Sequence, residues 1–149
     1  MVPTPSAVRV LVIDDDRAVC DVVLHILRRA GFHAVGAYDG STGFEAARQH
    51  APDLVLLDVK MPEVDGLQTL GRLRENPSTK EMVVVAFTGL ELDGDSLRSR
   101  GFDDVILKPI LAADLVERIA RALSTREEDG DQKHPSDLLS AMWRRVNIA

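Results

Sequence analysis

Five short apolar runs punctuate the chain, each bounded by polar or turn-forming residues: Val8–Ile13, residues 33–38, Leu54–Leu57, Met82–Phe87 and a short stretch at about Asp104–Leu107. Most are rich in Val, Ile and Leu and apolar throughout, the pattern of strands covered on both faces in a parallel sheet. Residues 33–38, with His33 and Gly36, form the weakest of the five. Between the runs the spacing changes. Val19, Val22, Val23, Ile26, Leu27 and Ala30 recur as one helical face, and Gly31 supplies the stop. Asp39-Gly40 reads as a turn, after which Ser41 or Thr42 caps a short helix to about Gln49 with Phe44, Ala47 and Ala46 inward. A loop leads to Gly66 and a helix carrying Leu67, Leu70 and Leu73, ended by Asn76-Pro77. Leu90 to Arg100 is a poor helix, interrupted by Asp93-Gly94-Asp95 and closed by Gly101. The last strong helix, Ala112 to Leu123, puts Leu115, Val116, Ile119, Ala120 and Leu123 on one face. Five strand-then-helix repeats predict an α/β fold, a parallel sheet between helix layers joined by right-handed crossovers.

These elements fill residues 7–124, one domain, after a Pro-containing lead at 1–6. Residues 125–149 differ in composition: Thr125 to Pro135 is charged and apolar-free and reads as a linker, and Ser136 to Val146 fits a small amphipathic helix with Leu138, Leu139, Met142, Trp143 and Val146 apolar. A net charge of -6 argues against nonspecific nucleic-acid or membrane binding, because phosphate surfaces favour Lys and Arg. The single Cys20 excludes an internal disulfide and, on the apolar helix face, reads as a small buried filler. Neither a signal peptide nor a bilayer-length apolar run is evident, so a cytoplasmic protein is expected.

Candidate chemistry lies where the strands stop. Asp14, Asp15 and Asp16 follow the first run, Asp58 the third, Thr88 the fourth and Lys108 the fifth. In a parallel sheet these share the carboxyl edge, where ligands of open α/β folds bind. Crowded carboxylates repel unless a cation offsets them, and a hard cation such as Mg²⁺ takes oxygen ligands. An ammonium and a hydroxyl suit phosphoryl oxygens, so the set fits phosphoryl transfer. Each residue also has an ordinary alternative: Asp14–Asp16 as caps of the first helix, Asp58 as a turn cap, Thr88 as a turn residue, Lys108 as a solvated charge. Their joint occurrence at four strand ends favours a site.

Four segments carry a resemblance to a known family: Leu11-Val12-Ile13-Asp14-Asp15-Asp16, Asp58-Val59-Lys60-Met61-Pro62 with Asp65-Gly66, Ala86-Phe87-Thr88-Gly89, and Leu107-Lys108-Pro109. From about Ala7 to Leu123 the chain resembles the receiver domain of two-component response regulators. The resemblance implies a flavodoxin-like three-layer sandwich with five helices and strand order 2-1-3-4-5. It implies Asp58 as phosphoacceptor from a histidine kinase or phosphotransfer protein, Asp15 as direct Mg²⁺ ligand, Asp14 as ligand through water, and metal contact by Asp58 and the Lys60 backbone carbonyl. Thr88 would hydrogen-bond the phosphoryl oxygen, and Lys108, with a cis bond to Pro109, would pair with it. Signalling would go through the face of the fourth helix, fifth strand and fifth helix, which could also form a homodimer.

Three positions depart from the family pattern: Val105 replaces the usual Tyr or Phe before the Lys, Gly89 the usual Ala, and Arg17 a frequent Pro. Phe102 lies three residues before Val105 and is not assumed to substitute for the aromatic. A rival reading is a haloacid-dehalogenase-type Mg²⁺ phosphatase, for which Asp14 and Asp16 have the right spacing. Ala18 and the residues after Lys108 do not fit it, and Asp58 is left unexplained. A receiver kept only as a binding module would not need every chemical residue that is present here. The expectation is a non-enzyme, stand-alone receiver acting by protein–protein contact without nucleic acid, since no helix-turn-helix follows Leu123. Its alternative is a receiver piece of a hybrid kinase or larger regulator.

Overall fold

The computed structural model describes residues 8–61, 65–89 and 94–127. Strand and helix alternate without exception: β1 (Arg9–Ile13), α1 (Arg17–Arg29), β2 (His33–Ala37), α2 (Gly40–His50), β3 (Leu54–Leu57), α3 (Gly66–Glu75), β4 (Val83–Thr88), α4 (Gly94–Ser99), β5 (Asp104–Leu107) and α5 (Ala112–Glu127). The five strands form one sheet in the order β2-β1-β3-β4-β5, every pairing parallel. This is the expected flavodoxin-like fold.

The apolar runs explain the layering. β3 and β4 are buried along their whole length because both sheet faces are covered. Alternate side chains feed two cores. On one side Val10, Val12, Leu54, Leu56, Val85 and Ile106 meet α1 and α5. On the other, Leu11, Ile13, Val55, Leu57, Val84 and Ala86 meet the helices α2, α3 and α4. Gly43 lets α2 approach closely: a Cβ there would lie 2.6 Å from the Ile13 Cδ1. Cys20 is buried as expected, and its burial pushes the thiol up to about 11, so it is inert filler.

Three local expectations change. Val22 is 59% exposed, because α1 buries Cys20, Val23, Leu24 and Leu27 and turns Val22 past the contact with the sheet. The cap of α2 is Asp39, not Ser41 or Thr42; its carboxylate accepts from the Thr42 backbone N–H at 2.7 Å and from the Thr42 hydroxyl at 2.9 Å. Asp39-Gly40 is therefore a helix start, not a free turn. At the other end α5 runs to Glu127, three residues into the expected linker, with Ser124 and Thr125 hydroxyls bonding back to Ala120 and Arg121 carbonyls. The amphipathic segment Ser136–Val146 lies outside the described residues, as do Pro62 and Leu90. Among the described residues no helix is long and apolar enough to cross a membrane.

Arg74, at the end of α3, clasps the amino side of the sheet. Its guanidinium donates to the carbonyls of Gly101, Lys80 and Met82 and to Asp103, at 2.7–3.1 Å. Asp103 in turn accepts from the Val84 backbone N–H, which ties the clasp to β4. Charge-assisted bonds to part-buried carbonyls are worth more than a surface ion pair, and removing the donor strands the acceptors. Arg74→Ala is expected to lower stability by about 2–3 kcal/mol, read as a lower urea midpoint at unchanged slope.

Candidate functional site

The sheet register builds the site. Ile13 pairs with Leu57, so the residues that follow, Asp14 and Asp58, emerge side by side at the carboxyl edge. Backbone bonds pin both: Asp58 N–H donates to the Ile13 carbonyl at 2.9 Å and Asp14 N–H to the Ala37 carbonyl at 3.1 Å. Thr88 ends the neighbouring β4 and is fully buried, and its carbonyl accepts from the Lys108 backbone N–H at 3.0 Å. That bond carries the register of β4 and β5 out to Lys108.

The three consecutive acids after β1 separate into different roles. Asp16 is the α1 cap, its carboxylate accepting from the Val19 N–H at 3.2 Å. Asp14 turns the other way, buried to 1% exposure, with Oδ1 accepting from the Asp16 N–H at 2.9 Å. Asp15 stays exposed at the rim. Asp14, Asp15 and Asp58 each offer a carboxylate oxygen within 4.8 Å of the others. The capping alternative thus holds for Asp16 and not for its two neighbours.

Against these carboxylates, among the described residues, stands the ammonium of Lys108. Lys108 Nζ is 2.6 Å from Asp14 Oδ2 and 3.7 Å from Asp58 Oδ2. It also lies 5.1 Å from the centroid of the Phe87 ring, whose face favours a cation. The peptide bond from Lys108 to Pro109 is cis, as expected. Asp58 is 6% exposed. Burial pushes its carboxyl up to about 7, the Asp14 charge adds to the rise, and Lys108 and the Lys60 N–H oppose it. Lys60 shares the turn, its N–H 3.3 Å from Asp58 Oδ1 and its side chain in solvent.

Three carboxylates and one ammonium leave an excess of negative charge in a largely buried pocket. Hard oxygen donors at this spacing suit a divalent cation that keeps some of its water, as Mg²⁺ does. The residues fit the group.

Two features of the site do not follow from spacing, though the second has a local signal in the chain. The Lys108–Asp14 pair joins residues 94 apart, and no spacing rule connects them. Gly66 presses the start of α3 onto the Asp58 turn: a Cβ there would sit 2.2 Å from the Asp58 carbonyl oxygen and 2.5 Å from the Val59 Cα. The signal was the Asp65-Gly66 pair, with Asp65 capping α3 through a reciprocal bond with Gln68 and Gly66 N–H donating to the Val59 carbonyl. Val105 is buried in the same core as Phe102, so neither occupies a swinging surface position.

Comparison with known proteins gives one consistent result. Residues 10–120 match the family described as the response regulator receiver domain. The chain is 37% identical over 122 residues to the DNA-binding dual master transcriptional regulator RpaA of Synechocystis sp., covering 80% of this chain and 50% of that protein. It is 44% identical over 114 residues to the transcriptional activator protein PfeR of Pseudomonas aeruginosa, covering 76% of this chain and 37% of that one. The chain therefore spans about half or less of these relatives. A CheY-like response regulator receiver domain protein from Methanospirillum hungatei JF-1 superposes with a TM-score of 0.73 at 28% identity, over 83% of this chain and 98% of that one.

The raised Asp58 carboxyl has a stability consequence in divalent-free buffer. A folded-state value above the unfolded 3.8 means that the native state holds the extra proton between about pH 4 and 7. Its contribution is complete at acid pH and is lost as pH rises toward 7. Asp58→Asn, which removes the buried charge, is expected to be more stable than the parent at pH 8 by about 1–2 kcal/mol. The gap should close by pH 4; urea midpoints at both pH values test this, and an equal gap at the two would contradict it.

Proposed function

The chain belongs to the response regulator receiver domain family, and we propose that it accepts a phosphoryl group on Asp58 from a histidine kinase or histidine phosphotransfer protein. The observation that carries this reading is the position of Asp58: buried, 3.7 Å from Lys108, and beside two other acids that can hold a cation without it. Asp15 would bind Mg²⁺ directly, Asp14 through water, with further contact from Asp58 and the Lys60 carbonyl. The cation supplies charge neutralisation at the phosphoryl oxygens.

In the transfer an Asp58 carboxylate oxygen attacks phosphorus. The phosphorus–nitrogen bond to the donor imidazole breaks, its electron pair leaves on nitrogen, and an acyl phosphate forms. Ionised Asp58 is the nucleophile, so a cation that offsets Asp14 also favours the reactive form. Lys108 gives up its bond to Asp14 in favour of a phosphoryl oxygen, and the Thr88 hydroxyl donates to another. Because Thr88 and Lys108 end adjacent strands joined by a backbone bond, both are drawn toward the new charge.

The signal leaves through α4, β5 and α5. Asp104 on β5 holds Arg98 of α4 at 2.9 Å and Arg118 of α5 at 3.3 Å, and Arg118 also donates to the Val105 carbonyl at 2.7 Å. With Val105 in place of an aromatic residue, this network is the device that can register movement of β4 and α4. It also gives the face a charge pattern suited to a protein partner or a second copy. The reading makes the chain a signalling domain of the cytoplasm, with no turnover beyond its own phosphorylation and dephosphorylation. What the relatives' names say of DNA remains a property of those longer proteins.

With acetyl phosphate and Mg²⁺, intact-mass measurement should show uptake by the parent and none by Asp58→Asn, while Asp15→Asn should need at least about tenfold more Mg²⁺. Steady phosphate release that survives Asp58→Asn and is lost in Asp14→Asn would instead support a phosphatase. Replacing exposed Lys60 should change the decay rate of the phosphorylated chain and leave uptake unchanged.

A further inference from the structure

The groove between α1 and the start of α5 has no occupant among the described residues. It has a volume of about 340 Å³ and is lined by Val19, Val22 and Ile26 from α1 with Pro109, Ile110 and Leu115, and it reaches Lys108 at one end. Val22 is 59% exposed beside it, and Leu111, next in sequence to Ile110, is 75% exposed. Among the described residues Val22 and Leu111 are two of the three large apolar side chains that are exposed, the third being Leu107, and a contiguous apolar surface of this kind marks a docking face.

The same chain carries an apolar stripe of matching kind in its sequence. Leu138, Leu139, Met142, Trp143 and Val146 follow the i, i+1, i+4, i+5, i+8 spacing of a single helical stripe, with Asp137, Ser140 and Arg144 on the other side. Ser136 precedes the stripe as a cap of the preferred type, after Pro135. Alone, a helix this short is marginal in water and needs an apolar surface to pack on.

The reach is sufficient. α5 has 16 residues and is about 24 Å long. It starts beside the groove and ends at Glu127, away from it. Residues 128–135 span up to about 26–29 Å when extended, slightly more than the length of α5. Their composition, with Glu128, Asp129, Gly130, Asp131 and Lys133, suits a solvated connection that doubles back along the helix.

We propose that residues 136–146 form a helix that docks its apolar stripe into the α1–α5 groove of the same chain, covering Val22 and the Pro109–Ile110 turn beside Lys108. The docked tail shields the α1 face next to the acidic cluster, so any protein that approaches over α1 must displace it. This docking is independent of whether Asp58 accepts a phosphoryl group.

Trp143 is the only tryptophan of the chain and reports its own environment. In the full chain its emission should be blue-shifted and protected from acrylamide. Val22→Arg at the exposed groove position and Leu139→Asp in the tail should each shift the emission to the red and raise quenching several-fold. Domain unfolding followed by circular dichroism should leave Val22→Arg folded, since the side chain it replaces already faces solvent. Solvent-exposed emission in the parent would overturn the proposal. So would blue-shifted emission insensitive to Val22→Arg, or emission that reddens on dilution together with loss of a dimer, because the tail would then lie elsewhere or on a second copy.

Discussion

The ion pair between Lys108 and Asp14 is the interaction on which the site depends. At 2.6 Å it offsets one buried carboxylate and leaves Asp58 and Asp15 without a full counter-charge. Sheet geometry makes the crowding unavoidable. Parallel register brings Ile13 level with Leu57, and the backbone bond between Thr88 and Lys108 fixes the Lys108 ammonium at the same edge. Two apolar cores hold these like charges together, which leaves that edge with a preference for cations. The cost appears in Asp58, whose carboxyl burial pushes up to about 7.

Much of this was legible in the chain because the determinants are local. β3 and β4, fully buried, are continuous apolar runs, and α5 shows its inward face through Leu115, Val116, Ile119, Ala120 and Leu123, all buried. The polar residues at strand ends read as one edge because continuous apolar runs imply parallel strands. What escaped was decided by tertiary contact. Asp39, Ser41 and Thr42 are all good caps, and only the backbone path chose Asp39. Val22 shares the helical period of its neighbours, yet the width of the contact with the sheet left it outside. No pattern foretells that Gly66 must lack a Cβ because the Asp58 carbonyl lies against it.

The two helix layers have unequal tasks. On the α2, α3 and α4 side, Gly43, Gly66 and the Arg74 clasp draw the elements close, and Gly66 lies against the Asp58 turn. The α1 and α5 side carries Asp16 at the head of α1 and the turn after Lys108, with an apolar groove left between them. The α2, α3 and α4 side holds the turn that carries Asp58. The grooved side borders Lys108 at the same edge of the sheet.

Direct chemical identification of the acceptor tests the account most sharply. After incubation with a small-molecule phosphodonor and Mg²⁺, borohydride reduction traps an acyl phosphate as the corresponding alcohol, and peptide mass spectrometry locates it. Modification is expected at Asp58 alone, dependent on the divalent cation. Modification at Asp14 or Asp15, or none while phosphate is steadily released, would contradict it.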